Sequence, residues 1–313
     1  MPFMTLTRRA FAASAMPLLA QSGRPEQVAG SILVHEHVLV DFIGADKVSR
    51  SRYDADEAFR AAKARLDELK PFGCVRFQEC TPAYLGRDPR LLRRLEDATG
   101  LELWTNTGIY GAGNHRFMPA YAKDERPLEL ARRWIREFKD GVDGVRPRFI
   151  KTGVNIAPLH PWDARLVEAA AIASLETGLA ICSHTTGGGR AFEAQVEILE
   201  RMRAPLAKFV WVHAQNEKDH AYHERAARAG AWVEFDGIGE KTAAWHRDCV
   251  MFMRGRGLLH RTLISQDTGW YRVGEPGGGD FRPFTYIYTG FLPAIPRETW
   301  KPLLVDNPRS AFA

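Results

Sequence analysis

Short β-rich runs and longer amphipathic stretches alternate along the chain. The runs Ser31–Val34, Gly73–Glu79, Glu102–Thr107, Phe149–Val154, Leu179–Ser183, Phe209–Val212, Ala231–Phe235 and Thr262–Ser265 are each bounded by Gly, Pro or polar residues, which predicts eight strands. Helical patterns lie between them. Glu57–Leu69 carries Ala, Leu, Lys and Glu at amphipathic spacing. Pro89–Thr99 opens on a proline suited to a first turn and stops before Gly100, and Trp162–Thr177 stops before Gly178. Ala191–Arg203, Asp219–Ala229 and Lys241–Gly255 complete the set. This alternation, over a length close to the roughly 250 residues typical of such domains, predicts an α/β fold, a (β/α)8 TIM barrel. An open doubly wound sheet is the alternative. It needs a Gly-rich phosphate-binding turn after the first strand, where His35-Glu36-His37 stands instead. The longest connections, Tyr110–Pro127 and Trp270–Phe291, follow carboxyl ends of strands, where barrel enzymes build their sites.

Composition narrows the function classes. Of 313 residues, 45% are hydrophobic and 26% charged, as in an ordinary globular protein. The 43 basic and 38 acidic residues are interspersed without a polybasic block, so no nucleic-acid partner is expected. No apolar run approaches the roughly 18 residues of a membrane span. The N-terminus reads Thr5-Leu-Thr-Arg8-Arg9-Ala10-Phe11 and then runs apolar to Ala20, the pattern of a twin-arginine-type export signal. Residues 1–23 are therefore expected to be a signal and 24–313 the barrel of a periplasmic or secreted protein. Cys74 and Cys80 stand roughly 20 Å apart along an extended segment, too far to bridge. Whether Cys182 and Cys249 are free stays open.

The candidate chemistry sits at strand ends. His35 and His37 are two apart, so both imidazoles face one side of an extended segment. Lys151 lies within the fourth run, His184 ends the fifth, His213 ends the sixth, and Asp267 follows the eighth. The steps from Lys151 to His184 and from His184 to His213 are each about one βα unit, and the step to Asp267 is close to two. In a closed barrel these ends converge on one mouth.

This constellation resembles the phosphotriesterase-like branch of the amidohydrolase superfamily. The resemblance extends through Thr81-Pro82, Gly86-Arg87-Asp88-Pro89, Thr107-Gly108-Ile109-Tyr110, Phe235–Gly239, Asp267-Thr-Gly-Trp270 and Asp306-Asn-Pro-Arg309. Two local departures are Ser265-Gln266, where Ser-His or Ser-Thr is more usual, and Ala214-Gln215, where Cys-Asp is common. The resemblance implies two divalent ions, usually zinc. One would be held by His35, His37 and Asp267 and the other by His184 and His213, with Lys151 bridging them as a carbamate (N6-carboxylysine). An ammonium cannot ligate a cation, and the apolar Phe149, Ile150 and Val154 are expected to favour the neutral amine that reacts with carbon dioxide. The implied chemistry is attack on a carbonyl or phosphoryl centre by a metal-bridging hydroxide, with Asp267 as the catalytic proton acceptor. Lactones, esters or organophosphate triesters are the expected small-molecule substrates, lactones foremost. Cleavage of a C–N bond, or metal binding without catalysis, are the alternatives. Family members are often homodimers.

Weaker expectations concern the loops. Tyr110 and Trp270 are candidate substrate-binding walls. Gly187-Gly-Gly189-Arg190 is a candidate anion holder through Arg190, and Gly277–Gly279 a candidate mobile lid. His220 and His223 are expected on a helix surface or at a subunit contact.

Overall fold

Every residue of strand β1 (Ser31–Val40) is buried, as a central strand covered on both faces must be. The computed structural model describes residues 27–313, so the segment read as an export signal lies outside the described residues. After β1 come α1 (Ala55–Asp67), β2 (Cys74–Glu79), α2 (Pro89–Thr99), β3 (Glu102–Trp104), β4 (Asn106–Thr107), α3 (Ala120–Asp124), α4 (Pro127–Asp140), β5 (Phe149–Val154), α5 (Pro161–Thr177), β6 (Ile181–Thr185) and α6 (Gly188–Arg201). Then follow β7 (Phe209–Val212), α7 (His220–Arg228), β8 (Trp232–Phe235), α8 (Ala243–Gly255), β9 (Thr262–Ile264), β10 (Gly269–Arg272) and α9 (Asn307–Ala311). The helix boundaries are those the local chemistry demands. Asp88 caps α2 by accepting from the N–H groups of Arg90 and Leu91, Pro89 opens it, and Gly100 closes it at φ +73°.

All strand pairs are parallel, in the orders β10-β1-β2-β3 and β4-β5-β6-β7-β8-β9. β3 and β4 are one strand interrupted at Thr105, which joins the two ladders on one side. On the other side the Asp267 N–H donates to the His35 carbonyl (3.1 Å) and the His37 N–H to that of Thr268 (3.0 Å). The result is a (β/α)8 barrel. Glu36 reinforces this seam. It stands between two histidines and so faces away from them, where it accepts from Ser265 Oγ (2.9 Å), Gln266 N (3.1 Å) and Thr268 N (3.0 Å). Burial pushes its carboxyl up to about 8. Gly269 is required here, because a Cβ at this φ of +92° would lie 2.1 Å from the His37 carbonyl oxygen.

Two readings change and one open question closes. The connection after the third strand carries a full helix, α4, absent from the expectation. Leu130, Ala131, Trp134 and Ile135 form its buried stripe at helical spacing. The segment after Asp267 is not a free lid at its start: it forms β10, and Gly278 is buried against the ring of Tyr271. All four cysteines are free, including Cys182 and Cys249.

Candidate metal centre

The strand ends bring His35, His37, Lys151, His184, His213 and Asp267 to one cavity of about 90 Å³. Their donor atoms approach one another closely, and those of His35, His213 and Asp267 all lie within 4.8 Å of one another. His37 Nε2 lies 3.1 Å and His35 Nε2 3.9 Å from Asp267 Oδ1. His213 Nε2 lies 2.7 Å from His184 Nδ1. Lys151 Nζ lies 3.2 Å from His35 Nε2 and is only 2% exposed. Separations near 3 Å are what ligands about 2.0–2.2 Å from a common ion adopt.

The imidazoles are held ready to ligate. His35 donates through Nδ1 to Glu234 Oε1 (2.7 Å) and Asp236 Oδ2 (3.1 Å). His213 donates through Nδ1 to Asp236 Oδ1, and its backbone N–H donates to Asp236 Oδ2 (3.1 Å). A ring whose Nδ1–H is engaged by a carboxylate must present a lone pair at Nε2, the atom that faces the cavity. His37 Nδ1 pairs with Thr81 Oγ1 at 2.7 Å. Burial lowers the pKa of His35 to about 4, and it also lowers those of His37 and His184. The rings are therefore neutral at neutral pH, as metal ligation requires. His213 and Asp267 both adopt left-handed backbone (φ +64° and +47°), strain of the kind concentrated at functional sites.

The surrounding charges act on one another. Burial and the adjacent Asp236 charge push Glu234 well above the carboxylate range. Burial would also raise Asp236, but His213 and His35 hold it well below. For Lys151 the expectation of an apolar surround is corrected. Burial lowers its pKa, but the neighbouring Cys80, Glu234, Cys182 and Asp236 together outweigh burial and raise it.

Asp236 is the residue the sequence reading missed as a site residue. The signal was present: Glu234 and Asp236 alternate at the end of an otherwise apolar strand. The two departures from the family pattern also acquire roles. Gln215 Nε2 donates to Asp236 Oδ1 (2.8 Å), and Gln266 bridges Glu36, Phe284 O and Ile287 N. Asp236→Asn is expected to weaken metal binding by about 10–100-fold while the protein stays folded. Metal titration against a competing chelator measures this, and unchanged affinity would contradict the orienting role.

The cavity wall contains Phe42, Pro82, Leu85, Tyr110 and Trp270. Tyr110 OH lies 3.0 Å from His184 Nδ1, and the Trp270 ring packs edge-on to His37. Both residues thus line the cavity. Arg190 is not. It is exposed and outside the cavity lining, and the N-terminus of its helix is served by Glu217, whose Oε2 accepts from the Gly189 N–H at 2.8 Å. A carboxylate already at that helix end displaces the anion role given to Arg190.

A sequence model described as the phosphotriesterase family matches residues 23–312. A phosphotriesterase homology protein from Mycobacterium tuberculosis is 27% identical over 95% of this chain and 98% of its own length. An aryldialkylphosphatase from Saccharolobus solfataricus is 26% identical over 72% of this chain and 71% of its own. Among solved structures, a mutant of a phosphotriesterase-like lactonase from Deinococcus radiodurans superposes with a TM-score of 0.81 at 26% identity, covering 92% of this chain and all of the other. With its family model matched over nearly the whole length and the expected ligands assembled at one barrel mouth, the chain belongs to the phosphotriesterase family.

Proposed function

We propose that this family member is a hydrolase with two divalent ions, zinc by preference, that opens lactones carrying an apolar substituent. The observation that carries the reading is the gathering of four imidazoles, Asp267 and the buried Lys151 at one cavity, where Lys151 would join two ions as a carbamate. Bound divalent ions supply a Lewis acid and lower the pKa of water towards 7.

The chain's own residues do the rest. Asp267 is positioned to accept a proton at Oδ1 and return it to the leaving oxygen. Burial holds the Tyr110 hydroxyl above its ordinary pKa, so it remains a neutral donor beside the reacting atoms. Phe42 packs against Trp270 (5.6 Å between centroids) and Phe117 (6.2 Å), an aromatic rim that excludes water. Among the described residues no arginine lines this cavity, which favours a neutral substrate over an anionic phosphate ester, though Arg282 lines the adjoining groove. A wider groove of about 650 Å³ shares Asp267 and Trp270 and has room for the rest of the molecule.

The test is a comparison of initial rates on a lactone, an aryl ester, a cyclic amide and a phosphotriester after loading with zinc and bicarbonate, each with a chelated control. The lactone is expected to lead by about tenfold or more, equivalent to about 1.4 kcal/mol in barrier. A phosphotriester in first place would overturn the substrate assignment. Inactivity on every class, in protein confirmed to carry two metals, would overturn the catalytic reading for these bonds.

A further inference from the structure

We propose that His220, His223 and Cys249 form a second metal site, for a single borderline-soft divalent ion of the zinc type. It lies between α7 and α8, apart from the barrel mouth. These side chains offer ligand atoms that all lie within 4.8 Å of one another. The expected place of the two histidines on a helix surface is corrected. His223 is fully buried, and His220 is half-buried with its ring stacked on Phe252 (4.4 Å, 10°) and Trp245 (5.0 Å, 18°).

The tautomer of His223 is set by its surroundings. Its Nε2–H donates to the Ala214 carbonyl at 2.8 Å, so Nδ1 carries the lone pair. That atom lies 3.1 Å from His220 Nδ1. Two nitrogens about 2.0–2.1 Å from a tetrahedral ion stand about 3.3 Å apart, so the bite exists already. Cys249 lies on the face of α8 that also carries Trp245 and Phe252, and its thiol is free and buried. Two imidazoles and a thiolate select zinc-like ions over magnesium or calcium. On binding, a metal–sulfur bond forms and the thiol proton leaves to solvent.

The fields of Asp219 and Asp248 act on His220 and favour a cation, while the Lys218 ammonium, 4.4 Å above the Trp245 ring, opposes it. Such an ion would pin α7 to α8 and fix the Ala214 carbonyl, one residue beyond the ligand His213. Its role is therefore structural.

The test uses the full chain loaded with zinc, and separately with cobalt, compared with His220→Ala and Cys249→Ser. The wild type is expected to bind one more equivalent of zinc than either variant. Its cobalt form is expected to show a near-ultraviolet thiolate-to-cobalt band that Cys249→Ser abolishes, with chelator-sensitive hydrolysis unchanged in both variants. His220→Ala, half-exposed, keeps the comparison if the buried cysteine variant does not fold. Equal zinc content in the wild type and His220→Ala overturns the proposal. So does a cobalt protein without the thiolate band, or a band that survives in Cys249→Ser.

Discussion

Asp267→Asn is expected to retain its metal and lose hydrolysis by about 10²–10⁴-fold, the range assigned to a positioned proton acceptor. Burial alone would raise the Asp267 carboxyl. The His37 hydrogen bond and the fields of His35, His37 and His213 outweigh it and hold the group well below the carboxylate range. Asparagine preserves the shape, one ligand oxygen and the tolerance of left-handed backbone that φ +47° demands, but it cannot take a proton. Elemental analysis alongside kcat/KM separates the outcomes. A loss of metal in step with activity would make Asp267 a ligand only, and an unchanged rate would remove it from the mechanism.

Lys151→Met is expected to cost more. The substitution removes the buried amine beside His35 and the cation whose field acts on Glu234. Metal affinity should fall by at least about 100-fold, beyond the range for an orienting residue, and hydrolysis should fall with it. Peptide mass analysis of the zinc- and bicarbonate-loaded wild type should find carbon dioxide added at Lys151. An unmodified Lys151 in fully active protein would remove the carbamate from the account.

Much of this was legible in the sequence. The boundaries of β2, β5 and α2 follow from period, Pro, Gly and capping residues that act within a few positions of themselves. The positions of the candidate ligands were legible for a related reason. A parallel barrel places every strand's carboxyl end at one mouth, so a residue's position along its strand already states its position in space. Helix α4 was missed although its stripe is local and as regular as that of α2.

What the sequence alone determined is therefore the order of the eight barrel strands and the candidate ligands at their ends. Tertiary structure decided the rest. It set Asp236 between His35 and His213, closed the barrel through Glu36 to Ser265 and Thr268, gave the α6 terminus to Glu217 rather than to an anion at Arg190, and brought Cys249 to His220 and His223. These contacts join residues far apart in the chain. Their partners are chosen by distance and desolvation in the folded barrel, quantities that no local pattern of hydrophobic and polar positions encodes.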